Sequence, residues 1–428
     1  MKIVQGSLAQ LKEEVVNQLA EIDNKQVEEQ VKDIIQHVKS EGDEALKYYT
    51  DKFDHYVPTS FKLSQEEIES GFQKTDQTII KALYAAKENI TSFHLKQKQT
   101  GFIDAEKEGV IRGQLVLPIE TVGIYVPGGT ARYPSSVLMN AIPAKIAGVK
   151  KIIMITPTSE EGLPPGILAA AKIAEVDEIY QIGGAHGIAA LAFGTESIPK
   201  VDKIVGPGNI YVATAKKILF GTVAIDMIAG PSEVVVLADT SANPSFVAAD
   251  LLSQAEHDTL ARAILITTDL EVGQEVAKEV RNQLATLPRK AIAEQAINHH
   301  SAIYVVERLE EQFDLMNAIA PEHLEIQLEN PMSHLSRVKH AGSVFLGAYA
   351  SEPLGDYLAG PNHVLPTSGT ARFFSPLGVE DFIKRTAFIN YTKDALAREK
   401  DDVIHLAREE GLDAHARAIE IRFKEDKV

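Results

Sequence analysis

Apolar residues in the first hundred positions follow a helical spacing. Residues 27–53 and 77–93 place an apolar side chain at every third or fourth position, and Gly42 and Pro58 interrupt the pattern. Both segments are predicted to be helical. We interpret them as a helical cap or a dimerisation arm, and a direct catalytic role is the alternative.

From residue 121 onward, short apolar runs rich in β-branched residues alternate with helical segments. The first series predicts strands at 122–126, 151–155, 178–182, 203–205 and 223–226, and helices at 136–148, 166–176, 188–193 and 211–219. The second predicts strands at 233–238, 263–267, 302–306 and 343–346, and helices at 246–257 and 272–284. Such alternation is typical of right-handed crossovers and mostly parallel sheets. We therefore expect an α/β protein with two units of similar size, whose tail from residue 380 returns to helix.

Composition places the chain among ordinary globular proteins. It has 428 residues, enough for two or three domains, with 45% hydrophobic and 24% charged residues. The formal net charge of -17 argues against nucleic acid or an anionic membrane as a partner. No apolar run approaches about 20 residues and the N-terminus lacks a signal-peptide pattern, so we expect a cytoplasmic protein.

The sequence contains no cysteine. This excludes disulfides, thiolate metal ligands and a cysteine nucleophile. Any zinc must therefore be bound by nitrogen and oxygen atoms. Any aldehyde oxidation must proceed without a thiohemiacetal.

Glycine-rich turns follow several predicted strands. They are Val126-Pro-Gly-Gly-Thr130, Gln181-Ile-Gly-Gly-Ala185, Val205-Gly-Pro-Gly-Asn209, Ala229-Gly-Pro-Ser232 and Gly360-Pro361. Taken singly, each turn is consistent with a structural role and with a ligand contact. Their place at the carboxyl ends of strands favours ligand binding, because open α/β sheets bind ligands there. The sequence lacks the G-x-G-x-x-G pattern, so the spacing does not identify a cofactor.

Metal-binding chemistry is offered by Gln254, His257, Asp356 and His415. Gln254 and His257 are three positions apart, so one helical face presents both. Imidazole and carboxylate groups suit Zn²⁺, whereas an amide oxygen is a less usual ligand. The alternatives are a solvated helix residue for Gln254, a turn cap for Asp356 and a surface histidine for His415. For His257 both interpretations stay open.

Pro321-Glu322-His323 joins a carboxylate directly to an imidazole. These side chains supply two proton acceptors within one pocket, with pKa values that burial brings near neutrality. The alternative is a helix N-terminus with Pro321 at its first position. His363 lies close to Asp356 in the sequence and is expected to reach the same site. A metal beside an acid/base pair indicates an enzyme that activates a hydroxyl group or a water.

Nearly the whole chain resembles the histidinol dehydrogenase family. The matching phrases occur in order, and they include Pro134-Ser-Ser-Val-Leu-Met139, Ala189-Ala-Leu-Ala-Phe-Gly-Thr195, Val201-Asp-Lys-Ile-Val-Gly-Pro-Gly-Asn209, Ala229-Gly-Pro-Ser-Glu233, Asp250-Leu-Leu-Ser-Gln-Ala-Glu-His257, Pro321-Glu-His-Leu324, Ala341-Gly-Ser-Val-Phe-Leu-Gly347, Gly355-Asp-Tyr357 and Asn362-His-Val-Leu-Pro-Thr367. The resemblance implies an oxidoreductase of histidine biosynthesis. In such an enzyme, L-histidinol becomes L-histidine in two NAD-dependent steps through a bound histidinal.

The resemblance also implies a homodimer with one zinc ion per subunit and a site shared between subunits. The implied zinc ligands are Gln254, His257, Asp356 and His415, the last reaching in from the second subunit. Glu322 and His323 are the implied acid/base residues. The implied substrate contacts are Ser232, Gln254, His257, Glu322, His323, Asp356, His363, Glu410 and His415, and the implied NAD contacts are Tyr125, His186 and Asn209. In this scheme His323 takes the hydroxyl proton and Glu322 deprotonates the water that attacks the aldehyde.

Two positions depart from the pattern that relatives commonly show. His186 stands where glutamine is common, and it lacks the paired donor and acceptor of an amide. This difference leaves the affinity for NAD open. Ile228 stands where proline is frequent, and we expect little consequence.

The predicted architecture has two incomplete Rossmann-like domains, with small helical arms at both ends that take part in dimerisation. A helical arm spans 1–22. The first α/β domain joins 23–124 to 233–377 and carries the metal and acid/base residues, and the second spans 125–232 and carries the NAD-binding loops. A helical tail over 378–428 reaches the partner subunit.

Two other functions stay open. One is a zinc-dependent hydrolase of a small amide or ester, which would leave the glycine-rich turns unused. The other is a non-catalytic small-molecule binding or scaffold protein.

Overall fold

The computed structural model describes residues 1–20, 25–128 and 133–424. The chain divides into two compact units, the first comprising Met1–Gln97 and Ile119–Phe382 and the second Lys98–Pro118 and Ile383–Val428. Among the described residues, the first unit contains a six-stranded and a five-stranded parallel sheet, and the second an antiparallel sheet. The predicted α/β fold with mostly parallel sheets is confirmed.

The strands and helices are numbered in chain order. The strands are β1 (Lys2–Gln5), β2 (Phe102–Asp104), β3 (Val110–Pro118), β4 (Thr121–Tyr125), β5 (Lys151–Thr156), β6 (Glu178–Gln181), β7 (Lys203–Val205), β8 (Ala224–Ile225), β9 (Glu233–Ala238), β10 (Arg262–Thr267), β11 (Ala302–Val305), β12 (His323–Gln327), β13 (Ser343–Leu346) and β14 (Ile383–Tyr391). The helices are α1 (Leu8–Ala20), α2 (Lys25–Glu41), α3 (Asp43–Asp54), α4 (Gln65–Lys74), α5 (Gln77–His94), α6 (Pro134–Ala147), α7 (Pro165–Ile173), α8 (Gly184–Phe193), α9 (Ile210–Leu219), α10 (Pro244–Ala255), α11 (Leu270–Leu284), α12 (Lys290–His299), α13 (Leu309–Ile319), α14 (Glu352–Tyr357), α15 (Lys393–Glu409) and α16 (Asp413–Glu420). Short 3₁₀ helices lie at Leu95–Gln97, Pro331–Arg337, Thr370–Arg372, Val379–Phe382 and Ile421–Phe423.

The six-stranded sheet has the order β1-β11-β10-β9-β12-β13, with every pairing parallel. Its central strands β9 and β10 are buried at every position, as expected for strands covered on both faces. Val234 and Val236 of β9 pack in one apolar cluster with α10 and α11. Val235 and Leu237, which point the other way, pack in a second cluster with α13.

The five-stranded sheet has the order β6-β5-β4-β7-β8 and is also parallel. Helices α2 and α3 share an apolar cluster with α8 and α9 on this sheet, and α4 and α5 share another with α6 and α7. The helical N-terminal segment thus covers the five-stranded sheet, whereas the predicted first domain groups 23–124 with 233–377. Helical periodicity identifies the apolar face of a helix but not the sheet that will cover it. The exact domain boundaries stay a prediction.

Three short regions differ locally from the sequence-based expectation. Lys2–Gln5, within the expected helical arm, is a strand that pairs with β11 at the sheet edge. Strand β14 lies in the tail that was expected to be helical, and it pairs antiparallel with β3 over its whole length. Strand β12 begins at His323, so the helix N-terminus considered for Pro321 is wrong. Strand pairing depends on a neighbouring backbone, which the periodicity of one segment does not reveal.

The second unit consists of the antiparallel sheet β14-β3-β2 and helices α15 and α16. Its buried apolar cluster consists of Ile404, Ala407 and Ala416. Large apolar side chains remain exposed on both the sheet and the helices, including Ile389 at 75% and Leu406 at 66%. In the part of the chain that the structure describes, no helix is long and apolar enough to span a membrane.

Candidate active site

The predicted acid/base residues lie where β12 begins, at the amino edge of the six-stranded sheet. His323 is the first residue of β12 and is in register with Val234 of β9, and Glu322 directly precedes the strand. Helix α10 follows β9 and returns toward this same edge. Gln254 in its last turn and His257, two residues beyond its end, therefore lie at the edge that carries Glu322.

A potential metal-binding group lies here. A ring nitrogen of His257 and carboxylate oxygens of Glu352 and Asp356 all lie within 4.8 Å of one another. Glu352 and Asp356 are both on α14, four positions apart and thus on one helical face. Glu352 was not predicted from the sequence, since an acidic residue at the start of a helix is an ordinary occurrence.

Gln254 is fully buried, so its interpretation as a solvated helix residue is wrong. Among the described residues, neither its Oε1 nor its Nε2 has a hydrogen-bond partner. A buried amide without partners carries a desolvation cost that a bound cation would relieve at the oxygen. The amide therefore fits a ligand position.

Acidic side chains cluster around this group. Glu322, Glu352 and Asp356 all approach His323, and no lysine or arginine of the described chain forms an ion pair with any of the three. Burial, and next the Asp356 carboxylate, raise the pKa of Glu352 to about 10. A divalent cation would stabilise these carboxyl groups in their charged form, and the nitrogen and oxygen donors present suit Zn²⁺.

His323 is held as a neutral base. Its Nδ1 lies 3.2 Å from the carbonyl oxygen of Glu233, which only accepts hydrogen bonds, so Nδ1 carries the proton. Its Nε2 has no hydrogen-bond partner in the described chain and faces Glu352 Oε1 at 3.8 Å and Asp356 Oδ1 at 4.0 Å. Burial lowers the pKa of His323 to about 4. The Nε2 lone pair is therefore available to take a proton near neutral pH.

Glu322 lies beside the other ring nitrogen. Its Oε2 accepts a hydrogen bond from the backbone amide of Glu233 at 2.9 Å and lies 3.7 Å from His323 Nδ1. Burial raises the pKa of Glu322 well above its ordinary value, and the carboxylates of Glu233 and Asp356 add to the rise. A carboxylate with a raised pKa is a stronger base, which suits removal of a proton from water.

His363 and Ser232 lie at the same end of the six-stranded sheet. His363 Nδ1 donates to the carbonyl oxygen of Asp356 at 2.9 Å, so its Nε2 accepts from the Ser136 hydroxyl at 3.2 Å. Ser136 is on α6, at the carboxyl edge of the five-stranded sheet. Ser232 directly precedes β9. His363 therefore ties the helix that carries Asp356 to the other sheet.

Glu410 and His415 lie in the second unit. Glu410 directly follows α15, His415 is in the first turn of α16, and both side chains are exposed. They are thus outside the unit that contains His257 and Asp356. Their roles toward zinc and substrate stay predictions.

A cavity of about 1190 Å³ opens at the carboxyl edge of the five-stranded sheet. Tyr125 ends β4, His186 lies in the first turn of α8 and Asn209 caps α9, and all three line the cavity. The strand order changes direction between β4 and β7, which is where open α/β sheets bind ligands. Residues 129–132, which include part of the first glycine-rich turn, lie outside the described residues.

His186 is buried in the wall of this cavity. Its Nε2 lies 3.4 Å from Thr50 Oγ1, its Nδ1 has no hydrogen-bond partner in the described chain, and the rings of Tyr49 and Phe53 lie within 6.0 Å. Burial lowers the pKa of His186 to about 3, so the ring is neutral. His186 is therefore a neutral ring with one nitrogen unengaged. Tyr49 and Phe53 belong to the segment 27–53 that was interpreted as a helical cap or a dimerisation arm. Its helical periodicity did not predict that these residues would line a cavity.

The turn that begins at Gly206 is held by a buried ion pair between Lys216 and Asp226. Lys216 Nζ donates to the Gly206 carbonyl at 2.9 Å, and the Gly206 amide donates to Asp226 at 2.7 Å. Gly206 has a φ of +110°, and a Cβ there would lie 2.2 Å from the carbonyl oxygen of Tyr125. The turn therefore needs glycine for its backbone conformation and for its close approach to β4.

Gly206→Ala is expected to lower the free energy of unfolding by about 2–4 kcal/mol, because left-handed strain adds to the clash with Tyr125. Gly221→Ala is the matched control, since Gly221 has a φ of +98° but no atom within 4 Å of a Cβ. We expect it to cost about 1–2 kcal/mol. Urea unfolding measures both variants, and equal losses would show that the approach to Tyr125 has no energetic consequence.

The fold and these two regions define an α/β protein with a buried imidazole and carboxyl beside a group suited to a divalent cation. The sequence profile of the family described as histidinol dehydrogenase matches residues 17–423. The chain belongs to the histidinol dehydrogenase family.

Relatives and a solved structure agree with this assignment. The chain is 64% identical over 426 residues to histidinol dehydrogenase of Listeria monocytogenes, covering 100% of both chains. It is 61% identical to that of Lactiplantibacillus plantarum, covering 99% of each. It is also similar to the crystal structure of histidinol dehydrogenase from Elizabethkingia anophelis, with a TM-score of 0.91, 42% identity and coverage of 99% of this chain and 98% of that one. The predicted class, an oxidoreductase of histidine biosynthesis, is confirmed, and the hydrolase and scaffold alternatives are not retained.

Proposed function

We propose that the chain oxidises L-histidinol to L-histidine with NAD⁺, in two successive hydride transfers through a bound histidinal, in the cytoplasm. The observation that carries this proposal is the unprotonated Nε2 of His323, which faces the group formed by His257, Glu352 and Asp356. This arrangement places a base beside a group suited to a cation, in a chain that belongs to the histidinol dehydrogenase family.

Zinc would be held by Gln254, His257 and Asp356 together with His415 of the partner subunit. When bound, zinc would bind the amino and imidazole nitrogens of the substrate and so hold its alcohol carbon in place. The unpartnered amide of Gln254 and the cluster of acidic side chains support this assignment.

The two oxidations divide between the two acid/base residues. In the first, His323 Nε2 takes the hydroxyl proton as hydride leaves the alcohol carbon. In the second, Glu322 removes a proton from a water that adds to the aldehyde, and hydride leaves the resulting gem-diol. The absence of cysteine from the sequence supports the water route, since no thiol is present to form a thiohemiacetal. Ser232, His363 and Glu410 would help to hold the substrate.

NAD would bind at the cavity of the five-stranded sheet, in contact with Tyr125, His186 and Asn209. The size of the cavity and its place at the carboxyl edge support a dinucleotide. In this proposal the five-stranded sheet binds NAD, and the six-stranded sheet carries the metal and acid/base residues.

We propose that the second unit pairs two copies of the chain into a homodimer. A unit this small, with a cluster of only three buried apolar residues among those described, leaves much apolar surface uncovered. Ile103 and Ile389 on its sheet and Leu406 on α15 are each more than 60% exposed. The same unit carries Glu410 and His415, so pairing through it would bring these two residues to the partner's site.

The number of NADH molecules formed per L-histidinol tests the proposed function. Purified, zinc-loaded protein given a limiting, known amount of L-histidinol is expected to form two NADH per substrate. A strong chelator is expected to abolish the reaction. Formation of one NADH would contradict the second oxidation. Formation of none, by folded and zinc-loaded protein, would overturn the proposal.

A further inference from the structure

Lys216 on α9 and Asp226, the residue after β8, form an ion pair inside the five-stranded half of the first unit. Their side chains are only 2% and 1% exposed, and lysine is rarely buried to this extent. We propose that Lys216 and Asp226 are positioning residues for NAD, which hold the glycine-rich turn 206–209 in place at the cavity. The inference rests on the proposed function, because it concerns the same NAD site.

Stability alone is a poor explanation for this buried pair. Removing a lysine and a carboxylate from water costs free energy, and their attraction repays it only with good geometry and further hydrogen bonds. Apolar residues of similar size are often as stabilising at the same place. Other buried residues of α9, such as Val212, Ala215 and Leu219, are indeed apolar and pack in one cluster. The reason for two charges here therefore lies in the groups that they hold.

The pair holds backbone groups at the carboxyl edge of the five-stranded sheet. Lys216 Nζ donates to the carbonyl oxygen of Gly206 at 2.9 Å. Asp226 accepts from the amide of Gly206 through Oδ2 at 2.7 Å and from the amide of Met227 through Oδ1 at 2.6 Å. Gly206 follows β7 directly and Asp226 follows β8, its parallel neighbour. Both the amide and the carbonyl of the first turn residue are thus fixed by one ion pair.

The turn that begins at Gly206 packs tightly against a wall of the cavity. A Cβ on Gly208 would lie 2.4 Å from Val212 Cγ1 and 3.1 Å from Tyr125 Cε1. Tyr125 lines the cavity and is one of the proposed NAD contacts. A shift of Gly206 would therefore disturb the packing of the turn against the Tyr125 ring.

Asn209 ends the turn and caps α9. Its Oδ1 accepts from the backbone amides of Tyr211 and Val212 at 3.1 and 3.2 Å, so Nδ2 is the atom that can donate to a ligand in the cavity. Lys216 lies about two turns further along the same helix and reaches back to Gly206. Its hydrogen bond therefore closes the turn and the start of α9 into one unit, which fixes the direction of Nδ2.

Michaelis constants of a charge-free pair test the inference. The double variant Lys216→Met with Asp226→Asn nearly keeps the size of both side chains and leaves no buried charge unpaired. At saturating L-histidinol, its KM for NAD⁺ should rise at least about 10-fold, because the carbonyl of Gly206 loses its donor and the turn its anchor. Its kcat at saturating NAD⁺ and its KM for L-histidinol should stay within about 3-fold of the wild type.

Lys217→Met is the matched control. Lys217 is the next residue of α9, and its substitution removes the same charge. Its Nζ pairs with Glu28 at the surface and not with the turn. The KM for NAD⁺ of this variant should stay within about 3-fold of the wild type.

Thermal unfolding separates positioning from stability. Lys216→Met alone leaves Asp226 buried without its cation, so it should melt lower than the wild type, and the double variant should recover most of this loss in Tm. The KM for NAD⁺ should stay raised in both variants, because neither has a donor for the carbonyl of Gly206. If the double variant does not fold, Asp226→Asn alone replaces it, and its KM for NAD⁺ should also rise.

A KM for NAD⁺ that recovers together with Tm in the double variant would overturn the inference, since the pair would then serve stability alone. An unchanged KM in the folded variant would overturn it too. Both results leave the proposed function intact as long as the wild type forms two NADH per L-histidinol. A folded, zinc-loaded wild type that forms no NADH would overturn the proposed function itself.

Discussion

Glu322→Gln is expected to release about one NADH per L-histidinol instead of two. Glutamine keeps the size of the side chain and still offers an oxygen to the backbone amide of Glu233, which Glu322 accepts at 2.9 Å. It has no basic oxygen able to take a proton from water. The first oxidation, which relies on His323, should therefore continue while the second fails.

Separate kinetics of the two oxidations measure this effect. Supplied directly with histidinal, Glu322→Gln should be slower than the wild type by about 10²–10⁴-fold, the usual contribution of a general base. Formation of the first NADH from L-histidinol should fall by less than about 10-fold. His323→Asn is the reciprocal variant, since its Nε2 faces the metal-binding group, and it should impair the alcohol oxidation more. Equal losses in both oxidations would remove Glu322 from the role of water base.

The second large effect concerns His415, which lies in a different unit from His257. His415→Ala and His257→Ala homodimers should each lose bound zinc and nearly all activity. A mixed dimer should contain one intact site, because each chain supplies what the other lacks. Random re-pairing makes half of the dimers mixed, so activity should return to roughly a quarter of the wild type. Zinc content and NADH formation are the measurements.

A second pair of variants controls for the effect of subunit exchange between dimers. Glu410 and His415 lie close together in the chain and in the same unit. Mixing Glu410→Gln with His415→Ala should therefore restore no intact site. Recovery in this control, or none between His257→Ala and His415→Ala, would contradict a site shared between subunits. The dimers should persist in all three variants, as sedimentation can check.

Much of the fold could be predicted from the sequence because its parallel strands are short, apolar and separated by helices. The predicted strands at 233–238 and 263–267 correspond closely to β9 and β10, which are buried on both faces. Strand β12 was missed even though its sequence, His-Leu-Glu-Ile-Gln, alternates polar and apolar residues, a pattern typical of a strand with one buried face. All five residues are nevertheless buried, which the pattern does not indicate.

The same reasoning explains which site residues could be found from the sequence. His257 and Asp356 stand out because their side chains have metal-binding chemistry, and Glu322-His323 because a carboxylate adjoins an imidazole. Glu352 could not be singled out. Its position facing His257 depends on how α14 packs against α10, through contacts between residues about a hundred positions apart.

The sequence by itself determined the α/β class and the family and indicated Glu322 and His323 as candidate acid/base residues, because periodicity and residue type are local properties of the chain. Only the tertiary structure decided which atoms of these side chains are available to bind a proton or a cation. The carbonyl oxygen of Glu233 places the proton of His323 on Nδ1 and leaves Nε2 open. Burial removes the water that would otherwise satisfy the amide of Gln254. Both effects come from neighbours distant in sequence, so no pattern within a single segment could reveal them.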